Sequence, residues 1–148
     1  MLQGSHVHDV HERVVQLPIE RVFEELEAMG TPADRIWPDA SMPFVRTAGP
    51  LEIGRTEESH GFVRARLDVL DPGSRLVWRA DQRALAGTHG FEVVAEGPHT
   101  RVRHVLDVDL AWWMVPLWRA RIGDLHARIL EALLDRLEAL EDVRAQSP

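Results

Sequence analysis

The chain's 148 residues include eight histidines: His6, His8, His11, His60, His89, His99, His104 and His126. An imidazole donates and accepts hydrogen bonds, moves a proton near neutral pH and ligates metals. What each one does depends on where its element points it. His6, His8 and His11 lie in a polar start and are expected to be solvated, and His99 falls in the turn sequence Gly97-Pro98-His99-Thr100. The other four carry the interest. His89 and His104 sit at apolar-face positions of two neighbouring strand-like segments. His126 comes four residues after Ile122 and three before Ile129, on the apolar stripe of a helix. His60 opens a hairpin, where it is expected to project toward a cavity mouth. His89, His104 and His126 are thus predicted to be polar points in an apolar space, suited to a ligand carbonyl or hydroxyl; the plainer alternative is that each is satisfied within the core. A three-His metal site is chemically possible but requires convergence from separate elements, so no metal ligand set and no cofactor are assigned.

Other residue types narrow the chemistry. There is no Cys, which excludes disulfides, thiolate zinc sites and a cysteine nucleophile. All 17 basic residues are Arg, which excludes Schiff-base lysine chemistry and a P-loop lysine. No G-x-S-x-G, H-E-x-x-H, G-x-G-x-x-G or P-loop pattern occurs. Glu57-Glu58 and Asp107/Asp109 resemble acid pairs, but a loop and an outward strand face are expected to expose them. Of the five Trp, Trp78 is read as inward on its strand and Trp118 as the start of the helical stripe, whereas the run AWWMVPLW at 111–118 is expected to dock the helix start onto the sheet rather than to meet a membrane.

The elements that must position these residues follow from periodicity. Residues 7–17 read as a strand, with a bulge conceivable at Val14-Val15, and Pro18 opens a helix that Gly30 ends. Residues 31–43 suggest a short helical turn and a loop, and short strands are expected near 44–47 and 51–57. Alternation then places Val63, Ala65, Leu67 and Val69 on one face, and after Asp71-Pro72-Gly73-Ser74 it places Leu76, Trp78 and Ala80. A second hairpin puts His89, Phe91, Val93 and Ala95 inward, followed by Val102, His104, Leu106, Val108 and Leu110; with 97–100 as its turn, His104 would face Val93. Arg64, Arg66, Arg75, Arg79, Arg101 and Arg103 face outward. From Pro116 to about Asp142 the period becomes helical, giving one amphipathic helix about 40 Å long.

Hydrophobic residues at 45% and charged residues at 28% fit an ordinary folded domain. A net charge of −7 with scattered Arg argues against nucleic acid. No apolar run reaches membrane-spanning length, so stable membrane insertion is not expected and a cytoplasmic setting is. Gly4-Ser5-His6 has the look of a cloning remnant, and the tail from Arg144 is expected to fray. One long helix must cover the apolar face of an antiparallel sheet. A curved sheet around a straight helix leaves a cavity, the default ligand site.

This layout resembles the helix-grip fold of the SRPBCC superfamily, which includes START lipid-transfer domains, polyketide cyclases and aromatases, and pollen-allergen-like carriers. The residues that carry the resemblance are ERVVQLPIERVFEEL at 12–26, HGFVRARLDVLDPGSRLVWR at 60–79, GTHGFEV at 87–93, TRVRHVLDVDL at 100–110 and WWMVPLWRARIGDLHARILEALLDRLEAL at 112–140. It implies a single α+β domain over 1–148, with an ordered core of about 7–142. It also implies binding of a hydrophobic or amphipathic small molecule or lipid in an internal cavity. The superfamily has no single catalytic motif, so no residue is carried over as catalytic. The predicted ligand-binding set is His104, His126, His89, Trp78, Phe91, Trp118, Ile122 and Leu106. Two other readings stand beside the carrier: a cyclase, aromatase or dehydratase with His104 or His126 as general acid/base, and a protein-interaction module of the chaperone co-factor kind. A monomer, or a homodimer through an uncovered strand edge, is expected.

Overall fold

The structure is a computed structural model and describes residues 5–140. The predicted helix end at 141–142 and the tail from Arg144 lie outside the described residues, as does Gly4. Seven antiparallel strands form one curved sheet: β1 His6–Val15, β2 Val45–Arg46, β3 Glu57–His60, β4 Val63–Asp71, β5 Arg75–Asp81, β6 Leu85–Glu96 and β7 His99–Leu110. Their order is β1-β7-β6-β5-β4-β3-β2, so β1 crosses over to pair with β7 while the rest meander. Helix α1 spans Ile19–Glu27, its first turn closed by the Arg21 and Val22 N–H groups on the Pro18 carbonyl. Val22, Phe23 and Leu26 of α1 join the core.

The C-terminal third is helical from Trp112 to Ala139, with changes of pitch. A 3₁₀ turn, Trp112–Met114, leads into α2 (Val115–Leu117), a π turn (Trp118–Ile122) and α3 (Gly123–Ala139). Pro116 lies in the first turn of α2, where its missing N–H is not needed, and a 3₁₀ turn precedes it. The π turn is closed by the Gly123 N–H on the Trp118 carbonyl. A Cβ at 123 would come within 3.2 Å of both Trp118 Nε1 and that carbonyl oxygen, so glycine permits the turn. Ile129, Leu130, Leu133, Leu134 and Leu137 are buried in one cluster with the inward residues of β4 to β7, which places the helix on the apolar face.

Several local expectations are corrected. β1 pairs with β7 without a register shift: Val15 is buried, Val14 is exposed and there is no bulge. A bulge occurs instead in β4 between Leu67 and Val69. It moves Val69 off the inner face and puts Leu70 there, opposite Leu76. Residues 31–43 contain turns and no helix, and 51–56 are turn and coil, with the strand at Glu57–His60. The second hairpin turns on Gly97-Pro98 alone, with Gly97 at φ +62°, so Glu96 pairs with His99 and His104 faces Phe91, not Val93. Ala95 is exposed. Met114 docks the helix start, but Trp112 and Trp113 are 75% and 51% exposed and do not pack on the sheet. The outward arginines pair with acids as their phase implies, among them Arg66 with Glu57, Arg79 with Asp68 and Arg101 with Glu12.

Candidate functional site

Between sheet and helix lies a cavity of about 140 Å³, on the order of one that accepts a benzene-sized guest. His104, His126, His89, Trp78, Phe91, Trp118, Ile122 and Leu106 all line it; their part in binding is proposed below. His60 lines it too, beside Phe62 and Leu125, whose exposure marks the open end. The 31–43 loop supplies Trp37 and Met42 as a further wall. Asp34 fixes that loop by accepting from the N–H groups of Gly30, Ile36 and Trp37. The Trp37 indole donates to the carbonyls of Asp39 and Met42. Phe44 stacks on His60 at 5.5 Å.

Cross-strand register builds the imidazole arrangement. His11 of β1 faces His104 of β7, and His104 faces Phe91 of β6; one layer away, Leu106 faces His89, which faces Trp78. The result is a row of five rings across the concave face. Ring centroids are 5.4 Å apart for His60–His89, 6.1 Å for His89–His104, 5.6 Å for His104–His126 and 5.9 Å for His126–His11. Each end of the row meets a carboxylate.

At one end Glu58, whose side chain is fully buried, meets His60 Nδ1 through Oε2 and His89 Nε2 through Oε1, both at 2.7 Å. Burial pushes the Glu58 carboxyl up, but the hydrogen bonds and charges of the two histidines prevail and hold it at about 2. The ionised carboxylate accepts from both rings, which leaves His60 Nε2 and His89 Nδ1 as the lone-pair nitrogens when the rings are neutral. Glu58 is therefore not in an exposed loop, as its sequence neighbourhood suggests. It faces inward because Glu58 and His60 are two apart on β3, and Glu58 lies opposite the small Ala65.

At the other end Asp9 Oδ2 is 2.9 Å from His11 Nε2 and 3.6 Å from His126 Nε2. His11 is not solvated as expected: its side chain is 15% exposed, and its Nδ1 is 2.9 Å from Glu131 Oε2 on α3. In the middle, burial pushes the His104 imidazole well below its ordinary value, with His126 and His89 adding to the effect. Burial likewise lowers His126 to about 4 against the opposing pull of Asp9. Among the described residues, His104 Nδ1 and His126 Nε2 are buried without a hydrogen-bond partner. Among the described residues, the ligand atoms of His89, His104 and His126 do not converge as a metal set; the groups that do are Asp9/His11/His126 and Glu58/His60/His89.

Sequence reasoning missed Glu58, Asp9 and His11. The signal was present as period-two spacing, Glu58/His60 and Asp9/His11/Arg13. A polar face is normally assigned to solvent, yet here α3 meets it with acids: Arg13 binds Glu131 and Glu138 at 3.1 Å, and Asp135 as well.

No family model matches the chain, and no curated protein matches it by sequence. Solved structures do. The di-domain ARO/CYC protein StfQ of the steffimycin biosynthetic pathway superposes with a TM-score of 0.71 at 14% identity, over 99% of this chain and 54% of that one. The chain has a helix-grip-like fold. It spans about half the length of StfQ. Two other solved structures are matched nearly end to end. Protein Ms6760 of Mycobacterium smegmatis gives a TM-score of 0.61 at 13% identity, covering 99% of this chain and 96% of that one. The Aha1 dimer of Colwellia psychrerythraea gives 0.55 at 15% identity, covering 90% and 97%. Among the described residues, no helix is long and apolar enough to cross a membrane.

Proposed function

We propose that the protein binds a small hydrophobic molecule, of aromatic-ring width and carrying a carbonyl or hydroxyl, in the cavity between sheet and helix. One observation carries this reading: an aromatic and aliphatic pocket contains two buried imidazole nitrogens, His104 Nδ1 and His126 Nε2, that no protein group satisfies. A buried polar atom without a partner is costly, and a ligand oxygen would relieve that cost at His104. Trp78, Phe91, Trp118 and Ile122 would enclose the apolar body, with Leu106 beneath it. A cytoplasmic carrier acting as monomer or homodimer fits this role, and size-exclusion chromatography with light scattering tests the oligomer. The binding test is tryptophan fluorescence during titration with a naphthol, because Trp37, Trp78 and Trp118 line the space. Saturable one-site quenching that weakens in His104→Leu supports the reading. Absence of saturation, or unchanged affinity in His104→Leu, overturns it.

A second reading is favoured by Glu58. A buried carboxylate holding two imidazoles with their free nitrogens fixed is an acid/base arrangement, and StfQ is by its name an aromatase/cyclase. In this reading the base is His89 or His60, which have the orienting carboxylate, in place of His104 or His126. Turnover of a cyclisable polyketone that collapses in His89→Gln while affinity stays near normal would establish it; equal loss of both leaves the carrier reading ahead.

A further inference from the structure

We propose that Asp9, His11 and His126 form a binding site for a divalent first-row transition ion such as Zn²⁺. Asp9 and His11 share the inner face of β1, and α3 lowers His126 onto them. One ligand atom from each of Asp9, His11 and His126 lies within 4.8 Å of the other two, and Asp9 Oδ2 is 2.9 Å from His11 Nε2 and 3.6 Å from His126 Nε2. An ion bound at about 2.0–2.2 Å from such donors fits between them after small side-chain rotations.

His11 requires positive charge between its two carboxylates, which either a second ring proton or a metal ion supplies. Its two nitrogens each face a carboxylate at 2.9 Å, Asp9 on one side and Glu131 on the other. A neutral imidazole has one N–H. If that proton serves Glu131, Nε2 turns a lone pair toward the lone pairs of Asp9, and a metal ion between them converts repulsion into ligation. A carboxylate behind a ligating histidine is the usual outer support of such a site. Here Glu131 is itself held by Arg13, 3.1 Å from its Oε1.

His126 supplies an independent observation. Its Nε2 is buried with no hydrogen-bond partner and lies 3.6 Å from the same Asp9 oxygen. Because His126 also lines the cavity, the remaining coordination position would adjoin that space and accept a water or a ligand oxygen. Two imidazoles with one carboxylate favour a transition ion over Ca²⁺ or Mg²⁺, which take oxygen donors. The Glu58 cluster makes no such demand: two N–H groups meet two carboxylate oxygens and the set is closed. This inference does not depend on the ligand proposed above.

The test uses the full chain, stripped with a chelator, in a His6→Ala/His8→Ala background. That background removes the surface spot where His6 lies 2.8 Å from both Asp107 and Asp109. Zn²⁺ is titrated by calorimetry, and Co²⁺ by its visible absorption. The expected result is one ion per chain, with binding weakened at least about tenfold in Glu131→Gln and more in His126→Gln or Asp9→Asn. Nuclear magnetic resonance of the imidazole nitrogens in the unsubstituted chain locates the ion without relying on any variant's folding; Zn²⁺ should shift His11 and His126. No binding, binding retained in a folded His126→Gln protein, or shifts confined to His60 and His89 would each overturn the proposal.

Discussion

The two ends of the imidazole row use the same residue types to opposite effect. At the Glu58 end one carboxylate serves two rings, its side chain has no solvent exposure, and every donor finds an acceptor. At the Asp9 end two carboxylates serve His11, the acids are half-exposed, and His126 Nε2 is left over. Burial and the ratio of carboxylates to imidazoles decide between a self-contained hydrogen-bonded unit and one with room for a cation. The first kind is expected to hold the fold together. The second is expected to contribute little by itself, because its acids are half-exposed.

Stability measurements can break this contrast. Glu58→Ala should cost the most, about 3–5 kcal/mol in urea unfolding, because it strands the buried His89 and the part-buried His60. A cost below about 1 kcal/mol would mean that the Glu58 end is as loosely held as the other.

Acid titration sharpens the same point. Folded Glu58 stays ionised down to about pH 2, whereas the unfolded residue titrates near 4.5. Between those values the unfolded chain binds the extra proton, so stability is fully present above about pH 4.5 and falls as pH drops toward 2. The expected loss is a few kcal/mol. It should flatten in Glu58→Gln; an unchanged acid limb in that variant would show that Glu58 is not the group responsible.

The middle of the row should respond differently from either end. His104→Leu removes a buried nitrogen without a partner and nearly conserves volume, so stability should change by less than about 1.5 kcal/mol. Naphthol affinity should drop by up to about tenfold, the worth of one hydrogen bond. A large loss of stability with unchanged affinity would make His104 a structural residue.

The smallest effect is expected at Asp9. Without added metal, Asp9→Ala should cost less than about 1 kcal/mol, since the Asp9 side chain is itself 40% exposed. A cost matching that of Glu58→Ala would erase the distinction between the two ends.

Much of the fold was legible because its signals are local. Alternation in 61–82 and 88–110 and the helical stripe after residue 116 report which face of each segment is apolar, so His89, His104, His126, Trp78, Phe91, Trp118, Ile122 and Leu106 were placed on the cavity side by phase alone. Phase fails where a single residue changes it. The bulge after Leu67 exchanged Val69 for Leu70, and the two-residue Gly97-Pro98 turn shifted His104 from Val93 to Phe91.

Residue types and periodicity by themselves determined a curved antiparallel sheet with a covering helix, and the apolar faces between which a cavity could form. Tertiary structure alone decided which polar residues share that interior. Glu58 is buried because β3 turns it toward His89, a residue 31 positions away in sequence. Asp9 and His11 face α3 because the crossover of β1 to β7 lays them under His126 and Glu131. A charged side chain carries no local mark of whether its partner will be water or a distant residue. That depends on strand order and register, which the chain settles only when the whole sheet closes over its helix.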